Sequence, residues 1–363
     1  MEKRSIIYSS CWKALLLLCF VFPFSGFAQL TTPKYSNEFM NLGVGARALG
    51  MGNAQVAATD NVMAGYWNPA GLTRITEKYQ AGLMHASYFA GMANYDYLAF
   101  TLPTDSLGRL AISAIRFAVD DIPDTRFLYD ADGRLNYDNI RFFSAADYGF
   151  IVSYARVIPK LDGLRLGANM KVIHRNVGEF AHAWGVGLDA GAQYENGAWQ
   201  FGLMLRDITG TFNAWVHEAS MVEEIYQSTG NTLPQNGIEV TVPRAILSGG
   251  RNFPINEQFK LLAMLDLSMT FDGQRNVLLG SNFTSIDPSF GLELGFQDML
   301  YLRTGLNNFQ KVQGLRNAEV MTMQPNFGLG LKLSKFHIDY AMTDIGDVSD
   351  TPYSHIFSLM LSF

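Results

Sequence analysis

The sequence predicts an all-β protein: a transmembrane outer-membrane β-barrel of about 14 antiparallel strands, with an N-terminal hatch, or plug, segment in the lumen. Three observations carry this. Apolar and polar residues alternate with a period of two through most of the chain after Tyr79. Tight turns and longer connections alternate between the segments. A Gly- and Ala-rich stretch, Asn37 to Leu72, precedes the first segment and reads as no strand.

The chain opens with the pattern of a secretory signal, expected over residues 1–28. Lys3 and Arg4 give a positive start, Ala14 to Phe22 an apolar run, and Gly26-Phe27-Ala28 a small-x-small cleavage site, so processing is expected near Ala28-Gln29. Leu18 stands before Cys19 where a lipoprotein signal needs a small residue. Both cysteines, Cys11 and Cys19, fall in this segment, so the processed chain is expected to have no disulfide, thiol nucleophile or cysteine metal site. No later apolar run is long enough for a spanning helix, so a membrane would have to be crossed by strands.

Composition agrees. Of 363 residues, 48% are hydrophobic and 13% aromatic, and only 17% are charged, where a soluble domain has roughly a quarter. The net charge of −6 makes nucleic acid an unexpected partner.

Residues 29–77 are expected to form the hatch. Gly43, Gly45, Gly50, Gly52 and Gly71 let backbone lie close to a wall. Pro69 keeps Asn68 out of the helical region, and the Asn68 amide suits nearby backbone groups beside Trp67. Arg47, buried in a lumen, should meet a carboxylate such as Asp189 or Glu293.

The barrel is expected over residues 78–363. In Trp184 to Glu195, one face carries Trp184, Val186, Leu188, Ala190, Ala192 and Tyr194, and the other Gly185, Gly187, Asp189, Gly191, Gln193 and Glu195. That is a lipid-facing outside and a wet inside. The same split recurs around Leu166, Trp199, Phe290 and Phe327. Segments begin near Tyr79, Tyr95, Arg109, Ala146, Leu164, Ala183, Trp199, Arg244, Phe259, Ser289, Leu300, Asn326, Phe336 and Ser354, each close to the ~9–11 residues a tilted strand needs. Tight turns recur at Thr104 to Gly108, Pro159 to Gly163, Glu195 to Ala198, Pro254 to Gln258, Gln297 to Met299 and Ser334-Lys335. Long loops are expected at Val119 to Ala145, Ile208 to Pro243, Asp272 to Asp287, Asn308 to Pro325 and Thr343 to Pro352. Short turns on one rim and long loops on the other place the long loops outside the cell. Phe357, Leu359, Leu361 and the terminal Phe363 share a face, a pattern similar to the assembly signal of bacterial outer-membrane proteins.

Within Lys34 to Leu72, the pieces Gly43-Val44-Gly45-Ala46-Arg47, Ala48-Leu49-Gly50-Met51-Gly52 and Trp67-Asn68-Pro69-Ala70-Gly71-Leu72 closely resemble the amino-terminal segment of the PorV/PorQ family, itself related to FadL-type transporters. The resemblance is specific there and general over the barrel. It implies a fourteen-stranded barrel in a Bacteroidota-type outer membrane, with a role in type IX secretion. In that role the chain would meet a translocon barrel, the C-terminal sorting domains of exported cargo, and attachment-complex proteins. The apolar set Phe212, Trp215, Met221, Ile225 and Tyr226 in the Ile208 to Pro243 loop would form a contact patch, or fold back as a lid. The other expectation is a FadL-type channel taking up hydrophobic small molecules, with the hatch as gate and a sideways exit. In either case the chain contacts outer-membrane lipid.

Other patterns read as bland. Gly43 to Ala48 matches a dinucleotide fingerprint, but no buried strand precedes it and Gly50 and Gly52 break the helix after it. Asp130-Ala131-Asp132-Gly133 lacks the ligand set of a calcium loop and reads as a turn. His174 shares the outward parity of Val172 and reads as part of an aromatic girdle. No catalytic motif stands out, and neither enzyme activity, cofactor nor metal is expected.

Overall fold

The computed structural model describes residues 35–130, 132–218, 220, 223, 226, 230–313, 319–343 and 353–363. The expected signal segment and its cleavage site lie outside these residues.

Seventeen strand segments join in one antiparallel sheet. They make fourteen staves, because two staves are each interrupted once and the two-residue Leu279–Gly280 segment only extends a loop. We number the staves β1 (Gln80–Tyr88), β2 (Ala93–Pro103), β3 (Gly108–Asp124), β4 (Arg141–Val157), β5 (Leu164–Val177), β6 (Ala181–Asn196), β7 (Trp199–Arg206, resuming at Thr211–His217), β8 (Gly237–Thr241, resuming at Arg244–Pro254), β9 (Phe259–Thr270), β10 (Ser285–Phe296), β11 (Leu300–Gln313), β12 (Glu319–Leu333), β13 (Phe336–Thr343) and β14 (Ser354–Ser362). Each pairs with its chain neighbour, and β14 pairs with β1 from Gln80↔Ser362 to Ser87↔His355. Tyr79 and Phe363 exchange backbone hydrogen bonds of 2.8 and 2.9 Å, and their rings meet at 5.6 Å. The ring therefore has no free edge.

Side-chain alternation follows the sequence. Along β14 the outward His355, Phe357 and Leu359 are exposed, while Ile356, Ser358 and Met360 are buried. His174, Trp184 and Tyr148 stack outside, with His174–Trp184 centroids 4.2 Å apart, as an interfacial girdle does.

The long connections are shorter than expected. β3 runs to Asp124 and β4 begins at Arg141, β7 resumes at Thr211 and β8 begins at Gly237, and β11 runs to Gln313. Ladder pairing continues past the bilayer's needs because edge N–H and C=O groups gain partners by it. Phe212 and Trp215 consequently belong to a strand, not to a loop.

Residues Tyr35–Ile75 lie inside the ring as short helical turns and irregular chain. Their core is tight: Val44, Met51, Val56, Val62 and Leu72 are all 0% exposed.

Candidate functional site: the plugged lumen and its outer vestibule

The segment inside the ring makes too few internal bonds to satisfy its own backbone. Side chains of the wall supply the rest. The N–H groups of Gln55 and Val56 both donate to Asp266 Oδ2 at 3.0 Å, Ala57 N–H donates to Ser248 Oγ at 3.0 Å, Ala46 N–H to Ser358 Oγ at 2.7 Å, and Val62 N–H to Gln80 Oε1 at 2.6 Å. Carbonyls are met the same way. Gln193 Nε2 donates to Val56 and Thr59, and Asn169 Nδ2 to Gly65. Arg206 donates to the carbonyls of Met40 and Tyr66.

The hatch residues singled out from the sequence all lie here. Gly43, Gly45 and Gly52 have positive φ of 98°, 86° and 63°, which side chains rarely tolerate. Gly50 approaches the wall at Gly328, and Gly71 packs beneath Thr59 and the Gln193 amide. Trp67 Nε1 donates to Val44 O at 2.8 Å. Asn68 is fully buried. Its Oδ1 accepts from Ala70 N–H, and its Nδ2 donates to Val56 O at 3.1 Å and to Ala192 O at 2.9 Å, while Pro69 opens the following turn. Asn68→Ala removes a cap and the amide hydrogen bonds to the Val56 and Ala192 carbonyls, so we expect a loss of about 2 kcal/mol, read as a lower urea midpoint of the purified barrel.

Arg47 meets Glu293 through Nε and Nη2, both at 2.8 Å, and Asp60 through Nη1 at 2.7 Å. Asp189, the other carboxylate expected for it, instead holds Lys171 at 2.7 Å together with Asp207 at 2.6 Å. Glu293 also binds Arg303 at 2.6 Å, which binds Asp339 at 2.6 Å. The result is a buried ionic chain from plug to wall. Burial alone would raise the Asp60 carboxyl, but the Arg47 and Arg74 guanidiniums outweigh it and hold it below the ordinary carboxylate range.

Two cavities flank the plug. One of about 410 Å³ opens on the short-turn side, around Arg47, Asp60, Lys260 and Lys332. The other, about 440 Å³, opens on the long-loop side. Its apolar floor belongs to the plug, Leu42, Leu49 and Trp67, with the plug's Glu38, Asn41 and Asn53 beside them. Tyr88 and Phe89 stand at its rim. Both volumes fall in the range of small-molecule sites.

The wall is broken beside this outer vestibule. β7 leaves the ladder at Asp207 and returns at Thr211, with positive φ at Asp207 and Gly210. β8 breaks opposite, at Val242-Pro243, where proline has no N–H to donate. A narrow gap there is lined by Asp207, Val242 and Pro243, and by Asn41 and Arg244, which also line the vestibule. The sequence hid this break, since alternation resumes on both sides of it. The Gly210 and Pro243 signals were present.

Two members of the expected contact set face opposite sides of the wall. Phe212 points outward and is 46% exposed. Trp215 points inward, donating to Glu239 at 2.6 Å with the Arg175 guanidinium over its ring. Tyr226 is half-buried, and Met221 and Ile225 lie outside the described residues. Asp130 serves its own turn, accepting from the N–H groups of Asp132 and Arg134.

No family model matches the chain, and no curated protein does. Solved structures do. The Pseudomonas putida toluene transporter TodX is 14% identical, with 88% of this chain and 98% of that chain covered and a TM-score of 0.57. The CymD monoaromatic hydrocarbon channel is 13% identical, with the same coverage and a TM-score of 0.55. A Pseudomonas aeruginosa FadL homologue is 11% identical, with the same coverage and a TM-score of 0.52. These likenesses establish the fold as that of a FadL-type outer-membrane barrel.

Proposed function

We propose, with that shared fold as the premise, that the chain is an outer-membrane channel for hydrophobic small molecules. The observation that carries this reading is the outer vestibule, which ends on apolar plug residues and adjoins a break in the wall. A molecule captured there has no open axial path, because the plug and the buried Lys171 and Arg47 ionic clusters fill the lumen below. The break between β7 and β8 offers a sideways one, past the exposed Ile208. This reverses the order of the two functions that the sequence suggests, because the neighbours in fold are described as hydrocarbon channels.

Thr211 and Thr241 pair directly across the upper edge of the break. Antiparallel partners lie at a spacing that suits a disulfide. In the Thr211→Cys/Thr241→Cys variant, oxidation should lower uptake of a hydrophobic tracer into proteoliposomes several-fold, and reductant should restore it. Unchanged uptake in the oxidised form would remove the break as the exit.

A second reading, a type IX secretion component that passes exported cargo from translocon to attachment complex, draws on the PorV/PorQ resemblance of Lys34 to Leu72. Outward apolar side chains on the β7–β8 extension, Phe212, Val216, Ile238 and Val240, suit a protein contact. One experiment separates the two: purification of the tagged protein from its native outer membrane, with co-purifying proteins and bound small molecules identified. Bound hydrophobic molecules without partners support the channel. Recovery of a translocon barrel or of cargo with C-terminal sorting domains would replace it with the secretion role.

A further inference from the structure

The outer vestibule has two chemically different sides. Facing the apolar plug floor is a wall of amides on β11 and β12: Asn307, Asn308, Gln310, Gln324 and Asn326. A β-bulge builds it. The β11–β12 register shifts between Asn307 and Gln310, and Asn308 adopts φ 52°. Strict alternation would give the lumen Asn307 and Phe309. The bulge instead turns Phe309 outward, its ring 6.0 Å from that of Phe290 on the outer face, and brings Asn307, Asn308 and Gln310 all to the vestibule. Bulges re-aim side chains at the cost of ladder bonds, and this one exchanges an aromatic for amides.

Four of those amides, Asn307, Asn308, Gln310 and Asn326, are half engaged among the described residues. Asn326 Nδ2 donates to Asn307 Oδ1 at 2.9 Å, and Gln310 Nε2 donates to Asn308 Oδ1 at 2.7 Å. Each bond uses one end of each amide. The amino groups of Asn307 and Asn308 and the carbonyl oxygens of Gln310 and Asn326 remain to bind something else. Four further buried polar atoms of the lining, Asn53 Oδ1 on the plug and Arg206 Nε, Thr270 Oγ1 and Asp287 Oδ1 on the wall, have no hydrogen-bond partner among the described residues. Charge in the lining is balanced, with Arg206, Arg244 and Arg275 set against Glu38, Asp266 and Asp287.

We infer that the vestibule selects a neutral amphiphile. Its apolar part lies on Leu42, Leu49 and Trp67, and its hydroxyl- or amide-bearing part bonds the amide wall. A plain hydrocarbon would leave that wall unpaired, which a buried site penalises. An anion would find its charge already answered. This deepens the channel reading and rests on it.

The test is equilibrium binding to the purified barrel in amphipol, with three probes: octyl glucoside below its micellar concentration, octanoate and toluene. Octyl glucoside should bind roughly tenfold more tightly than either of the others, and Asn307→Leu/Gln310→Leu should remove that advantage, since each hydrogen bond lost costs about three- to tenfold. Both residues are only partly buried, and circular dichroism checks the fold. Asn308→Gly, which keeps the left-handed backbone but loses the amide, should weaken octyl glucoside alone. Toluene binding as well as octyl glucoside and indifferent to these substitutions would overturn the inference and leave the channel standing. Preferred octanoate would overturn the neutral class. Failure of all three to bind would overturn the channel reading and the inference with it.

Discussion

Gly305→Val should turn the closed barrel into a conducting one. Gly305 faces inward on β11, and a Cβ placed there would overlap the Met51 carbonyl carbon and the Gly52 nitrogen. These are backbone atoms and cannot swing aside as a side-chain tip would. The neighbouring staves repeat the close approach. Gly291 on β10 would place a Cβ 2.7 Å from Met51 O, and Gly328 on β12 one 3.2 Å from the Gly50 Cα. The three glycines form a trough in which the Gly50 to Gly52 backbone lies, with the adjoining apolar cluster of Met51, Ala54, Ala57, Ala58, Leu262 and Met264. Overpacking a core costs about 1–3 kcal/mol when side chains can adjust. Here the plug must leave its seat, so the cost exceeds that range. The fourteen-stave ladder does not depend on this contact, so the barrel should persist on unheated gels while conductance in planar bilayers rises from baseline. Baseline conductance with an unshifted urea midpoint would show that the plug does not bear on this wall.

Glu293→Ala should be the most destabilising single truncation in the lumen, at about 3–5 kcal/mol. Glu293 answers two guanidiniums, Arg47 of the plug and Arg303 of the wall. The side chain of Arg303 is 0% exposed. Gly330 makes room for it, since a Cβ there would lie 2.6 Å from Nη1. Without Glu293, this cation keeps Asp339 alone, at the wall of the cavity on the short-turn side. Arg47 is less confined and retains Asp60. The penalty therefore belongs mainly to Arg303, and a double-mutant cycle tests this. Arg47→Ala/Glu293→Ala should be nearly as unstable as Glu293→Ala, whereas Arg303→Met/Glu293→Leu should recover much of the loss. Recovery by Arg47→Ala instead would place the strain in the plug.

Much of this architecture was legible in the chain, for a physical reason. A lipid-facing wall enforces apolar side chains at every second position, so β5, β6, β10, β12 and β14 announce both themselves and their inward faces. The segment before β1 announced itself through composition, because backbone packed on backbone requires Gly and Ala. Strand ends were less legible. The sequence reading stopped at the bilayer's thickness, while pairing runs on to Asp124, His217 and Gln313, where no lipid imposes a pattern. Interruptions of the ladder were invisible for a related reason. A bulge or a break shifts parity locally and then restores it, so Asn308 and Asp207 looked like loop polar residues and not like the builders of a cavity wall and a gap. Arg47 shows the limit of pairing by charge alone. Both Asp189 and Glu293 face the lumen, and only the position of Lys171 decides between them.

The way the plug's backbone is satisfied has a consequence for biogenesis. Its N–H and C=O groups find partners at Asp266, Ser248, Ser358 and Gln193, which lie 211, 191, 312 and 137 residues further along the chain. One of them, Ser358, lies on β14, so the full set is in place only when the last stave has paired. The plug is therefore the last part of the described chain to complete its bonding, and closing such long loops carries an entropic cost that slows the step. Until then a stretch rich in Ala, Val and Met lacks its partners, and formation of the wall and setting of the plug should separate as two kinetic phases.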